Sequence, residues 1–188
     1  MQTEKLKPYR DAGMPTLRTQ RLVLRPFTPG DAADVQRVCG RREIADAAAN
    51  IPHPYADGVA EEWIAKHAAT FVEGTSVNLA VTLVETGEYI GGIGLIGISE
   101  THLRAEMGYV VAVEYWSRGY CTEAATAVLD YAFKEMGLHR VYAHHFARNP
   151  ASGRVMQKIG MTYEGTLRHH HVKWGRFEDL VCYGICRE

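Results

Sequence analysis

Apolar residues recur along this chain with two periods, and the switching between them lays out an α/β order. Leu22, Leu24 and Pro26 alternate with Arg21, Val23 and Arg25, which predicts a first strand over 17–27. Pro29-Gly30-Asp31 then opens a helix reaching Cys39, with Asp31 near its positive end. The stretch 41–55 holds two prolines and an alanine run and reads as irregular or a short helix. Trp63, Ile64, His67, Ala68 and Phe71 share one side of a second helix over 57–73. Two alternating runs, 77–84 and 89–98, flank Glu85-Thr86-Gly87-Glu88 and read as a β-hairpin. Gly91, Gly92, Gly94 and Gly97 in its second strand predict a bulge or the close approach of another backbone.

A strand-like run over 105–113 precedes a clean amphipathic helix. Its stripe is Ala124, Ala125, Val128, Leu129, Ala132, Phe133 and Met136. Residues 140–146 form the next strand. Asn149-Pro150 supplies an N-cap and a first-turn proline, Ala151, Val155 and Ile159 form the apolar stripe, and Gly160 suits the position after the helix. Two final strands, from Tyr163 onward and over 180–186, are separated by Lys173-Trp174-Gly175-Arg176. The order β-α-α-β-β-β-α-β-α-β-β predicts an α/β domain with a mixed sheet over 16–188, behind a loosely held tail over 1–15.

At 188 residues, with 46% hydrophobic and 23% charged positions, the chain suits one buried domain. A net charge of -1 argues against a broad basic surface for nucleic acid. No run is long enough to cross a bilayer, and residues 1–13 lack the apolar core of a signal peptide. The four cysteines form no CxxC pair and read as reduced thiols of a cytoplasmic protein. Cys182 and Cys186 fall on one strand face and read as small core residues.

The most informative stretch is Tyr115-Trp116-Ser117-Arg118-Gly119-Tyr120-Cys121-Thr122-Glu123-Ala124. A strand, a tight turn with glycine and a helix start leave backbone N–H groups free in the positive end of the helix dipole. Such a turn suits a pyrophosphate, held by the N–H groups of Arg118, Gly119, Tyr120, Cys121, Thr122 and Glu123.

These residues resemble the GNAT acetyltransferase superfamily, whose signature is Q/R-x-x-G-x-G/A between a strand and a helix. The closer resemblance is to the branch that acetylates ribosomal-protein N-termini, where the run reads Y-W-G-x-G-Y-A-T-E-A. Here Trp116 stands for Gln/Arg, Ser117 for a common Gly, and Cys121 for Gly or Ala. Asn149-Pro150-Ala151-Ser152, followed by Lys158-Ile159-Gly160-Met161, is similar to N-x-x-S…K-x-G-F. Glu164-Gly165-Thr166-Leu167-Arg168, the 175–179 run and Tyr183 resemble the branch's ending, and 17–25 resembles its first strand.

The resemblance implies a single GNAT-type domain, with a mostly antiparallel sheet splayed around the cofactor and helices on both faces. It implies acetyl-CoA as donor, with Val111, Ala112 and Val113 bonding the pantetheine edge-on and Asn149 and Ser152 touching it. The N–H of Val111 would polarise the thioester carbonyl. The acceptor is a primary amine: a protein N-terminus, or a small molecule such as a polyamine or antibiotic. Final-strand pairing into a homodimer occurs in such folds. An inactive CoA-binding module is the alternative to an enzyme.

Attack needs a neutral amine. An α-amine titrates near about 7.7–8.0, an alkylamine near about 10.4. Glu106, in Ala105-Glu106-Met107, resembles the catalytic Glu of the A-E-I run in histone acetyltransferases. It shares a strand face with Gly108 and Val110 and is the candidate general base. Pairing with Arg104 or Arg140 is the structural alternative, and Glu164 the second candidate. The family's acid tyrosine position holds Met156, which leaves Tyr120, Tyr163 and Tyr183. His169-His170-His171 alternate across a strand and cannot converge easily on one ion, so no metal site is expected.

Overall fold

Strand parity sorts the core into two layers. In β3 (Ser76–Leu83), Val77, Leu79 and Val81 pack in one cluster with Ala124, Ala125 and Val128 of a long helix. Ala80, between them, packs in a second cluster with Val35, Val38 and Ile64 from helices on the opposite face. A period of two therefore puts helices on both faces of one sheet. The computed structural model describes residues 6–188.

The elements in chain order are β1 (Leu17–Arg18), β2 (Leu22–Pro26), α1 (Ala32–Cys39), α2 (Arg42–Ala47), α3 (Val59–Ala65), α4 (His67–Val72) and β3. There follow β4 (Tyr89–Ser99), β5 (Arg104–Val111), α5 (Tyr120–Tyr131), β6 (Arg140–Phe146), α6 (Pro150–Lys158), β7 (Thr162–Lys173) and β8 (Arg176–Cys186). The eight strands form one sheet in the order β1-β2-β3-β4-β5-β6-β8-β7. Every neighbouring pair is antiparallel except β5 and β6. Those two run parallel and pair only from Arg104↔Arg140 to Glu106↔Tyr142. Beyond Glu106 they part, β6 staying with β8, and a wedge opens between them.

Several elements differ from the sequence expectation. The first strand is two short strands folded on each other, with Leu17 opposite Leu24. Thr19 makes the turn: its N–H donates to the Leu22 carbonyl (3.0 Å) and its Oγ1 accepts from the Leu22 N–H (3.0 Å). The helix predicted over 57–73 breaks at Lys66, whose N–H reaches back three residues to Trp63 (3.3 Å). The break lets His67 tuck against Trp63 and Phe27. Residues 41–55 contain α2. β8 starts earlier than predicted, and Cys182 and Cys186 are not core residues: Cys182 is half-buried and Cys186 exposed, because they share the face opposite the one on which Val181, Tyr183 and Ile185 join the core. Residues 1–5 of the predicted tail lie outside the described residues. Tyr9 is buried edge-on against Phe71, and the Lys7 N–H donates to the Met136 carbonyl (2.8 Å).

Gly91 and Gly94 of β4 answer to close approach, whereas a Cβ on Gly97 would meet nothing within 4 Å. A Cβ on Gly91 would collide with the Val110 carbonyl of β5, and one on Gly94 would stand 2.6 Å from the Val77 carbonyl of β3. The register also slips at Val81/Thr82, a bulge beside them.

Glu123 fastens the β1–β2 turn to the start of α5. Its carboxylate accepts from Thr19 Oγ1 (2.6 Å), the Arg21 N–H (2.9 Å) and Arg21 Nε (2.7 Å). Burial pushes this carboxyl up, but the bonds from Thr19 and Arg21 outweigh it and the net shift is down. A depressed carboxyl stabilises the fold above its unfolded value and loses that contribution as pH falls. Glu123→Ala should therefore cost about 1–3 kcal/mol near neutral pH. In urea titrations the gap from the parent protein should close as pH drops through and below the ordinary carboxyl value of 4.5. A gap that stays constant down to acid pH would show that this carboxylate does not hold the turn.

Candidate active site

The turn before α5 is built from two left-handed residues. Ser117 has φ 61 and Gly119, the N-cap of α5, has φ 82. Glycine takes that conformation freely, and serine at 117 bears a modest strain. Paired left- and right-handed residues turn successive N–H groups toward one side, which forms an anion nest. The N–H groups of Arg118, Gly119, Tyr120, Cys121 and Thr122 meet no acceptor among the described residues. Glu123 differs from expectation. Its N–H donates to the Gly119 carbonyl (3.0 Å), closing the first helical bond, so it is not part of the open set. Arg21 adds positive charge here: its guanidinium lies 4.3 Å from the centre of the Tyr120 ring, and Nη1 donates to the Arg118 carbonyl (3.1 Å). Burial pushes the Cys121 thiol up to about 12, so it stays protonated.

The edge of β5 follows from one hydrogen bond. The Ala112 N–H donates to the Ile90 carbonyl (2.8 Å), which fixes the alternation along the β4–β5 ladder. Residues 106, 108 and 110 bond β4. Residues 107, 109 and 111 turn their backbone groups the other way, into the wedge left by β6. The Val111 N–H is therefore open to the wedge, while its carbonyl accepts from Trp116 Nε1 (2.7 Å). Ala112 falls out of the expected pantetheine set, since its N–H serves Ile90 and its carbonyl accepts from the Tyr115 N–H (2.9 Å). The Val113 N–H has no acceptor among the described residues.

Across the wedge stands α6. Asn149 caps it, with Oδ1 accepting from the Ser152 N–H (3.4 Å), and Nδ2 donates to the Ala47 carbonyl (3.4 Å). Ser152 Oγ lies 2.9 Å from the hydroxyl of Tyr109, which also donates to the Ser152 carbonyl (3.1 Å). Tyr109 thus ties β5 to α6 over the opening. Burial raises its hydroxyl far above the ordinary tyrosine range, so it remains a proton-bearing donor.

Glu106 is the last β5 residue paired with β6, so its side chain sits where the wedge begins. Its carboxylate meets neither Arg104 nor Arg140. Oε1 lies 3.2 Å from Nδ1 of His144, and both side chains are about a quarter exposed. Glu164 instead holds Arg140 in a two-pronged ion pair at 2.5 Å, which keeps its carboxyl below the usual range and makes it a poor base. Met156 is fully buried and Tyr183 nearly so, its hydroxyl accepting from Gln157 Nε2 (3.1 Å). Tyr163 is exposed on β7, and Tyr120 lies beneath Arg21. His169, His170 and His171 straddle a register slip in β7; His169 stacks on Phe177. Among the described residues no three His, Cys, Asp or Glu side chains gather closely enough to hold a metal ion.

Sequence reasoning did not single out Tyr109 or Arg21 as site residues, and weighed His144 only with the other histidines as a metal ligand, not as the partner of Glu106. Parity alone would have put Tyr109 beside Met107 on the α5–α6 face. His144 required the β5–β6 register, and Arg21 the contact between residues 102 positions apart.

The Acetyltransferase (GNAT) domain family matches residues 21–162. The Bacillus subtilis protein YoaA, an uncharacterized N-acetyltransferase, is 31% identical over 173 residues, covering 92% of this chain and 97% of its own. A GNAT-family acetyltransferase structure from Bacillus anthracis superposes with a TM-score of 0.81 at 27% identity, over 92% of this chain and 98% of that one. The Vibrio cholerae spermidine N-acetyltransferase, solved with CoA and spermine, has the same fold, with a TM-score of 0.78 at 24% identity over 89% and 96% of the two chains. An open N–H turn before α5, a wedge edged by β5 and a family match over most of its length agree: the chain belongs to the GNAT acetyltransferases and is an acetyl-CoA-dependent N-acetyltransferase.

Proposed function

We propose that this protein acetylates a primary amine, a peptide or protein N-terminal amine before a polyamine, in the cytoplasm. The observation that carries the reading is the alignment of three open features along one wedge. These are the N–H groups of residues 118–122, the N–H groups of Val111 and Val113, and the Glu106–His144 pair at the fork. A diphosphate fits the first and an extended amide chain the second; the third lies where β5 and β6 begin to part.

When bound, acetyl-CoA supplies an activated thioester. The turn at 118–122 would hold its pyrophosphate, each charge-assisted bond contributing about 1.5–3 kcal/mol. The Val111 N–H would donate to the thioester carbonyl oxygen and stabilise negative charge there. Ser152, held by Tyr109, and Asn149 line the arm. Glu106 takes the proton from the attacking amine, directly or through a water, with His144 orienting its carboxylate. An α-amine, titrating near about 7.7–8.0, asks less of that base than an alkylamine does. The spermine bound to the Vibrio cholerae neighbour supports polyamines as the second reading. A panel of peptide and polyamine acceptors, scored by CoA release, separates the two; turnover of polyamines alone would overturn the first.

Gly119→Glu places a carboxylate and a side chain where phosphate approaches backbone, at a φ that strains any other residue. Calorimetry should show acetyl-CoA binding nearly abolished in a variant whose circular dichroism is unchanged. Undiminished binding would remove the turn from the cofactor site. Glu106→Gln keeps the shape and loses basicity. Its kcat should fall by about 10²–10⁴-fold with acetyl-CoA affinity retained. Near-full kcat would make Glu106 a structural residue.

A further inference from the structure

Lys173 closes the end of β7, where the β7–β8 turn meets the segment after α2. It is 7% exposed, yet no carboxylate lies within ion-pair distance. Two of its three N–H donors reach the Ala49 carbonyl (3.3 Å) and the Ile51 carbonyl (2.7 Å). The third meets no acceptor among the described residues. Buried ammonium groups are ordinarily paired, because desolvation without a counter-charge is costly. Here burial pulls the Lys173 pKa down from its ordinary value, as an under-compensated cation requires.

Lys173 lines a surface cavity of about 420 Å³ with Arg42, Asp46, Trp174 and Arg176. Arg42 makes no ion pair among the described residues; its guanidinium rests 5.5 Å from the centre of the Trp174 ring, and Lys173 Nζ lies 5.3 Å from the same ring. Asp46 is the cavity's one carboxylate, and it is already shared. Arg148 Nη1 holds one of its oxygens at 2.6 Å, and Arg176 Nη2 lies 3.9 Å from the other. Arg176 Nε is also held by Glu178 Oε1 (2.6 Å), so Lys173 and Arg42 are the cavity's two cations without an ion pair among the described residues. The cavity also adjoins the cofactor wedge: Arg148 precedes Asn149, and the Asn149 amide donates to the Ala47 carbonyl, one residue past Asp46.

We propose that this cavity is an acceptor-recognition site for a carboxylate, so that the enzyme prefers amines carrying an acidic side chain and discriminates against polyamines. The proposal rests on the amine-acceptor reading above and names the acceptor's second functional group. A carboxylate entering the cavity takes the free Lys173 donor and the Arg42 guanidinium. A polycation meets like charge instead.

The test is a set of neutral hexapeptide amides with free N-termini, in which one Glu is walked through positions two to five and compared with Gln at the same place, alongside spermidine. Steady-state CoA release should give one Glu peptide a kcat/KM at least about tenfold above its Gln twin, the worth of one charge-assisted bond. That ratio should fall toward one in Lys173→Met and in Arg42→Ser. Arg42 is exposed, so its removal leaves no buried donor stranded, and the ratio is insensitive to the fraction of folded enzyme. Calorimetry of the preferred Glu peptide on the enzyme–CoA complex should show the same loss in both variants. Equal rates for Glu and Gln peptides at every position, a ratio kept in both variants, or faster turnover of spermidine than of any Glu peptide would overturn the proposal. Absence of CoA release with every amine would instead overturn the amine-acceptor reading, and peptide binding would then report on the cavity by itself.

Discussion

Three residues of parallel pairing, Arg104 to Glu106 against Arg140 to Tyr142, join the two halves of the sheet, and the arrangement of the site depends on their being so few. A longer ladder would satisfy the β5 edge and leave nothing for an extended ligand to bond. A shorter one would let the halves drift. Tyr109 compensates for the brevity by reaching over the wedge to Ser152, so α6 keeps its distance from β5 without backbone pairing. The same fork sets Glu106 against His144, since side chains on diverging strands meet only near the point of divergence.

The phosphate turn depends on contacts far away in sequence. Its left-handed residues aim the N–H groups, but its position relative to the sheet comes from Glu123, which grips Thr19 and Arg21 at the opposite end of the chain. Arg21 in turn covers Tyr120 and bonds the Arg118 carbonyl. A single carboxylate one helical turn into α5 thus fastens an edge of the sheet and places a guanidinium beside the anion site. Helix termini are well suited to anions in general; here the terminus is also locked in place.

Local patterning carried the layout well where the signals are local. The Gly119 turn, the Asn149-Pro150 cap and the β3–β4 hairpin are all written in adjacent residues. The break between β1 and β2 was invisible because Thr19-Gln20-Arg21 contains neither glycine nor proline; a side chain from α5 stabilises that turn. The kink at Lys66 likewise follows from packing His67 under Phe27 and Trp63. Within the site, strand parity was readable but its phase was not. Whether Val111 or Ala112 faces the wedge depends on the Ala112–Ile90 bond, and so on the register with β4. The partner of Glu106 depends on the β5–β6 register in the same way.

The sheet has two unequal edges: β1 spans two residues and β7 twelve. A long outer strand with open backbone groups and apolar side chains such as Leu167, Val172 and Phe177 nearby is a template onto which another strand can add, in an ordered assembly or in a fibre. β7 is not uniform along its length. Its register slips at Tyr163/Gly165 and again at Leu167/His171, and Gly165 and His169 take positive φ values of 149 and 50. Each kink turns the row of donors and acceptors off line, so a foreign strand would find only short stretches in phase. The histidine triplet therefore sits at an interruption of the sheet's longer edge, where the strand changes register instead of presenting one unbroken row of donors and acceptors.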